Sequence, residues 1–175
     1  MKTNFLLAFS ILFFALVSCK KETKIATSGT VTLNSQKFPY GPIYAIYGLS
    51  FSAGAIHKFP AQDADIIVAA LNPSGAITAV YFTAPDYYTG NFNNTSYNPD
   101  LASAEIQFDN YSEVSATNFQ PLTDTLKVGQ IITYKNSANQ YAKMLVSSIN
   151  IVKKDPPYAE VTIKWAFQPN GTTKF

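Results

Sequence analysis

The chain has 175 residues, with 13 lysines, no arginine, 11 acidic side chains, one histidine and one cysteine. A single cysteine rules out an internal disulfide and any zinc or iron–sulfur site built on cysteines. Nearly balanced charge, without the guanidinium forks that suit phosphates and base edges, speaks against nucleic acid as a partner.

Met1 and Lys2 form a short basic start, and Phe5 to Val17 follow as an almost unbroken apolar run. A membrane-spanning helix takes roughly 20 apolar residues, so this shorter run predicts the core of a signal peptide rather than a span. Leu16-Val17-Ser18-Cys19 has the form of a bacterial lipobox. It predicts cleavage after residue 18 and acylation of Cys19, and two or three acyl chains hold a protein at a membrane far more firmly than one. Residues 19–29 then read as the acylated cysteine and a polar tether, and residues 30–175 as one β domain. No aspartate follows Cys19, so the expected location is the outer membrane, on either its periplasmic or its cell-surface face.

Beyond the tether, apolar and aromatic runs alternate with turn residues and no long helical period appears. Thr30 to Leu33 and Ile43 to Phe51 predict strands. Asp65 to Leu71 and Ala76 to Phe82 flank Asn72-Pro73-Ser74-Gly75 and predict a hairpin. Ala84 to Asp100 is rich in Asn, Pro, Gly and Tyr and reads as a long loop or extended finger, with a short strand expected at Ala104 to Phe108. Asn110 to Phe119 is ambiguous and could hold one helical turn. Gln130 to Lys135, Tyr141 to Val152 and Tyr158 to Phe167 predict a three-stranded meander. In its last strand Val161, Ile163, Trp165 and Phe167 share one face, the alternation of a half-buried strand. The phase of the apolar residues slips around Ser147-Ser148, which predicts a β-bulge or a bend. The expected class is all-β, an antiparallel sandwich or strongly bent sheet.

Three C-terminal stretches, Gly129 to Lys135, Gln140 to Met144 and Val161 to Gly171, resemble the closing strands of HmuY-like proteins, haem-binding lipoproteins of the Bacteroidetes. Leu49 to Gly54 and Asp63 to Ile67 fit more loosely, with Ala64 where that family has tryptophan, and Asn72 and Gly75 follow at suitable spacing. The resemblance covers about half of the chain beyond Cys19. It implies an all-β fold with finger-like extensions, haem or another small planar ligand, and an outer-membrane receptor as partner. Members coordinate iron through paired histidines or methionines upstream of the meander; residues 86–125 here contain neither.

The candidate ligand-binding residues are therefore Tyr87, Tyr88 and Tyr97 of the expected finger, with Tyr111 nearby, and His57, since phenolate and imidazole both ligate haem iron. Met144 lies mid-strand beside Val146 and reads as core. Asp63 and Asp65 read as structural, because a calcium site needs six to eight oxygens and no EF-hand-like loop surrounds them. Asp124-Thr125-Leu126 matches the short Asp-Ser/Thr-apolar pattern of Bacteroidetes O-glycosylation, making Thr125 a candidate acceptor. No nucleophile elbow, Walker loop or His-Glu-x-x-His is present. Two carboxylates about 5–10 Å apart suffice for a glycosidase, a requirement the sequence leaves open. The expectation is a lipid-anchored binding protein and not an enzyme, the alternative ligands being glycan or protein in place of haem.

Overall fold

The computed structural model describes residues 25, 27–85 and 90–175. Cys19, the signal peptide, most of the tether, and Tyr87 and Tyr88 lie outside the described residues. Among the described residues ten strands and one helix follow in order: β1 (Ser28–Asn34), β2 (Phe38–Tyr40), β3 (Ile43–Ser50), β4 (Ala55–Phe59), β5 (Ile66–Leu71), β6 (Ala79–Thr83), β7 (Phe92–Tyr97), α1 (Leu101–Asn110), β8 (Gln130–Lys135), β9 (Tyr141–Val152) and β10 (Tyr158–Gln168). They build two antiparallel sheets, one ordered β1-β10-β9-β8-β7, the other β2-β3-β5-β6 with β4 also paired to β3. The sheets do not close into a barrel.

The C-terminal meander forms as its alternation predicts. Ala159, Val161, Ile163, Trp165 and Phe167 are all buried while the residues between them are half-buried. In β9 the bulge falls at Ser147, because Thr162 stands opposite Ser148 while Ile163 stands opposite Val146. The Ser147 hydroxyl donates to the Thr162 carbonyl across the irregularity (3.0 Å). That one extra residue turns Ile149 back toward the core that Met144 and Val146 already face.

The two sheets meet across that core. β8, β9 and β10 contribute Ile132, Tyr134, Met144, Val161 and Trp165, while the opposing sheet contributes Leu49, Ile66, Val68, Val80 and Phe82. Phe51, just past β3, is fully buried. Its ring centroid lies 5.3 Å from Tyr134, 5.6 Å from Trp165 and 5.8 Å from Phe167. Asp65 fixes this arrangement from the side: Oδ2 accepts the Phe51 backbone N–H at 2.7 Å, and Oδ1 accepts the Tyr134 hydroxyl at 3.4 Å. Asp65 thus has the structural role the sequence suggested.

Four local readings are corrected. The segment expected as a strand, Ala104 to Phe108, is part of α1. Asp100 caps this helix, and Leu101, Ala104 and Phe108 fall on one face that packs with Ile131 and Leu145 on the outer side of the meander. The stretch read as a loop from Ala84 to Asp100 contains β7, which pairs with β8 and carries its own irregularity near Thr95. Residues 55–59, which carry His57 and for which no strand was expected, form β4. Finally, Phe38–Tyr40, for which no strand was expected, pairs with β3 as β2. The ambiguous residues 111–119 are irregular apart from a bridge between Glu113 and Lys174.

Lys143 ties the end of α1 to the sheet. It is buried, and its Nζ donates to the carbonyls of Phe108 and Tyr111, both at 2.7 Å, at the helix end where the Tyr111 N–H also donates to Phe108. Burial lowers its pKa, the Asp109 carboxylate works against that shift, and Lys164 adds to it.

At the other end of α1 the Asp100 carboxylate accepts from the Ser103 hydroxyl (2.6 Å) and backbone N–H (3.2 Å). These two bonds, the side-chain one foremost, hold its pKa below the ordinary 3.8. The folded state therefore releases this proton more readily than the unfolded chain does. The cap's contribution is complete above the ordinary value and fades as pH falls through the lower folded one. Asp100→Ala should lower the melting temperature at neutral pH and shrink the loss of stability below about pH 4, followed by circular dichroism. An unchanged acid limb in the variant would assign that limb to other carboxylates.

Candidate functional site

β3 and β5 touch at one place only. Their register pairs Gly48 with Ile67 and Leu49 with Ile66, and nothing further. Beyond that contact β3 turns to β2 through Ile43, Tyr44 and Ala45, and β5 runs on beside β6. The contact needs a residue without a side chain. A Cβ on Gly48 would lie 2.6 Å from the Ile66 carbonyl oxygen and 2.7 Å from the Ala64 Cβ, closer than real contacts come.

Where the strands part, a groove of about 530 Å³ opens, within the size range of small-molecule sites. Val68 and Ala45, both fully buried, stand deepest among its lining residues, with the half-buried Ile46, Ile67, Ala69 and Ala70 above them. Three phenol side chains reach it from separate elements: Tyr44 from β3, Tyr81 from β6 and Tyr158 from the start of β10. Pro156 and Pro157 of the β9–β10 turn and residues 35–37 after β1 complete the wall. Its polar residues are Ser35, Gln36, Lys37, Asn72 and the three tyrosines; among the described residues no carboxylate and no imidazole line it. Tyr44 is 68% exposed, and Ile43 and Leu71 beside the groove are about half exposed at 51% each. An apolar floor, aromatic walls and a few polar groups can hold a ligand with a flat hydrophobic body.

Those of the residues singled out from sequence that are described fall elsewhere. His57 lies on β4 opposite Gly48, with Nδ1 2.6 Å from the Asp63 carbonyl, to which the protonated nitrogen donates. Tyr97 ends β7 in the other sheet, 52% exposed, with the Lys127 ammonium 5.2 Å from its ring centroid. His57 and Tyr97 are thus on different sheets and do not form a common site. Tyr111 packs on Phe175 and shares a hydrogen bond with Thr133 (3.2 Å). Met144 is fully buried in the core, as its strand position suggested. Thr125 is exposed next to the buried Leu126. Among the described residues no group of three or more His, Cys, Asp or Glu side chains is placed to hold a metal ion. Nor is any helix among them long and apolar enough to cross a membrane.

Tyr44, Tyr81 and Tyr158 escape a reading of the sequence because no motif links them; only the parting of β3 from β5 brings them to one groove. Comparison with protein-family models, curated proteins and solved structures finds no match to this chain.

Because Gly48 sets the contact from which the groove opens, Gly48→Ala should destabilise the fold by about 1–3 kcal/mol, the usual range for forcing extra volume into a packed contact. Urea unfolding should show the midpoint falling while the slope stays constant. An unchanged midpoint would mean that β5 can back away freely from β3.

Proposed function

We propose that this chain is a lipid-anchored binding protein of the outer membrane, HmuY-like in its closing meander, that takes a small planar ligand and is not an enzyme. The observation that carries the reading is the groove between β3 and β5, apolar within and walled by phenol rings, with no carboxylate or imidazole in its lining. The resemblance of residues 129–171 makes haem the first ligand to try, with Tyr87, Tyr88, Tyr97 and His57 as the residues to test for iron ligation. The lipobox at Leu16 to Cys19 supplies the anchor, and an outer-membrane receptor is the partner to which a haem carrier would deliver.

Haemin titrated into the domain from Lys20 onward should give a saturable, shifted Soret band. Loss of the shift in His57→Ala, in Tyr97→Ala or in the Tyr87→Ala/Tyr88→Ala double variant would identify the ligands. A Soret band identical to that of free haemin removes haem, and glycan or protein becomes the ligand class to pursue.

Anchoring has a separate test. The full chain should incorporate a palmitate analogue, and Cys19→Ala should abolish the incorporation. Labelling that persists in Cys19→Ala would sink the lipobox reading.

A further inference from the structure

We infer that the groove between β3 and β5 selects an anion, namely an aromatic carboxylate whose flat body lies between the tyrosines and whose charged end meets Lys37. The inference rests on the reading of the chain as a small-ligand binding protein and specifies where the ligand sits and what chemistry it carries.

Charge is the first argument. Lys37 is the one ionic side chain in the lining, and it is exposed at the mouth and not sunk in the floor. The turn that supplies Pro156 and Pro157 also carries the exposed Lys153 and Lys154, against Asp155 alone. A ligand with a negative end meets a field of the right sign there, whereas a cationic one finds no carboxylate in the lining. Shape is the second. The floor at Ala45 and Val68 has no polar side chain, so the inserted part must be apolar. Three phenols and two prolines surround it, which favours a flat ring system over a bulky body. The third argument is exposure. Tyr44 is 68% exposed and stands on the lip formed by the β2–β3 hairpin, so its ring is accessible to a ligand. The hairpin segment Phe38 to Tyr44 contains no charged residue, and positive charge flanks it: Lys37 immediately precedes it, and the Lys58 ammonium lies 5.3 Å from the Tyr40 ring centroid.

The test uses naphthoate and its uncharged counterpart naphthamide, titrated into the domain from Lys20 onward and followed by the naphthalene fluorescence. Naphthoate should saturate a single site, and naphthamide should bind about tenfold more weakly, the value of one charge-assisted hydrogen bond. Tyr44→Ala should weaken both by about tenfold. Lys37→Glu should weaken naphthoate alone and leave naphthamide unchanged. Both side chains are exposed, so the melting temperature of each variant should match that of the parent, and a matching value shows that binding was lost without loss of the fold. Naphthoate that fails to saturate the parent protein overturns the proposal. So does binding indifferent to Tyr44→Ala, or a Lys37→Glu effect equal on both probes. The outcome separates from the haem reading. Naphthoate binding with an unshifted Soret band would keep the groove and remove haem; haemin binding without naphthoate binding would keep the carrier and remove the groove.

Discussion

At Gly48 two strands of the smaller sheet come close enough that the backbone of one meets the space where a side chain of the other would stand. The rest of this sheet is arranged around that contact. β3 and β5 pair over two residues only; beyond them β3 pairs with β2 at Ile43 to Ala45, while β5 stays paired on its other edge with β6 from Ile67 onward. A sheet paired along its full length would present a continuous face with no opening. Here the hydrogen-bonded surface splits, and the split exposes the edge of the core as the floor of a groove.

Such a split survives because the surrounding structure holds it from two sides. Beneath, Phe51 packs against Tyr134, Trp165 and Phe167 of the larger sheet, so the chain leaving β3 is seated in the densest part of the core. Alongside, Asp65 binds the Phe51 N–H and the Tyr134 hydroxyl just before β5 begins. Hydrogen bonds to a charged acceptor are stronger than those between neutral groups, so one carboxylate fixes the start of β5 relative to both sheets. On the far side of the molecule α1 covers the meander, with Asp100 at one end and Lys143 at the other. Both faces of β8 and of the first half of β9 are therefore buried.

How much of this was legible in the sequence follows from the kind of signal each element carries. The meander was readable because its strands are long and strictly alternating, and even the bulge at Ser147 showed as a slip in phase. The all-β class followed from the same pattern. The helix was missed although its cues are local: Asp100 stands before Leu101, Ala104 and Phe108 at helical spacing. A surrounding composition of Asn, Pro and Tyr outweighed them. β2 and β4 are three and five residues long, and they exist through pairing with β3 more than through any pattern of their own. The groove was not legible at all, since Tyr44, Tyr81 and Tyr158 are far apart in the chain and only the register of three strands unites them. His57 drew notice as the only histidine, yet rarity in composition carries no information about placement.

The pairing of β1 with β10 joins the first strand of the domain to its last, from Ser28 opposite Ala166 to Asn34 opposite Glu160. A ribosome delivers the chain from the N-terminus, so β1 waits without its partner until residues 158–168 have been made. The larger sheet therefore cannot be completed before β10 has been made, and contacts of such long sequence separation form slowly in any case. Until then β1, with its alternating Val31 and Leu33, is an open edge available to other chains.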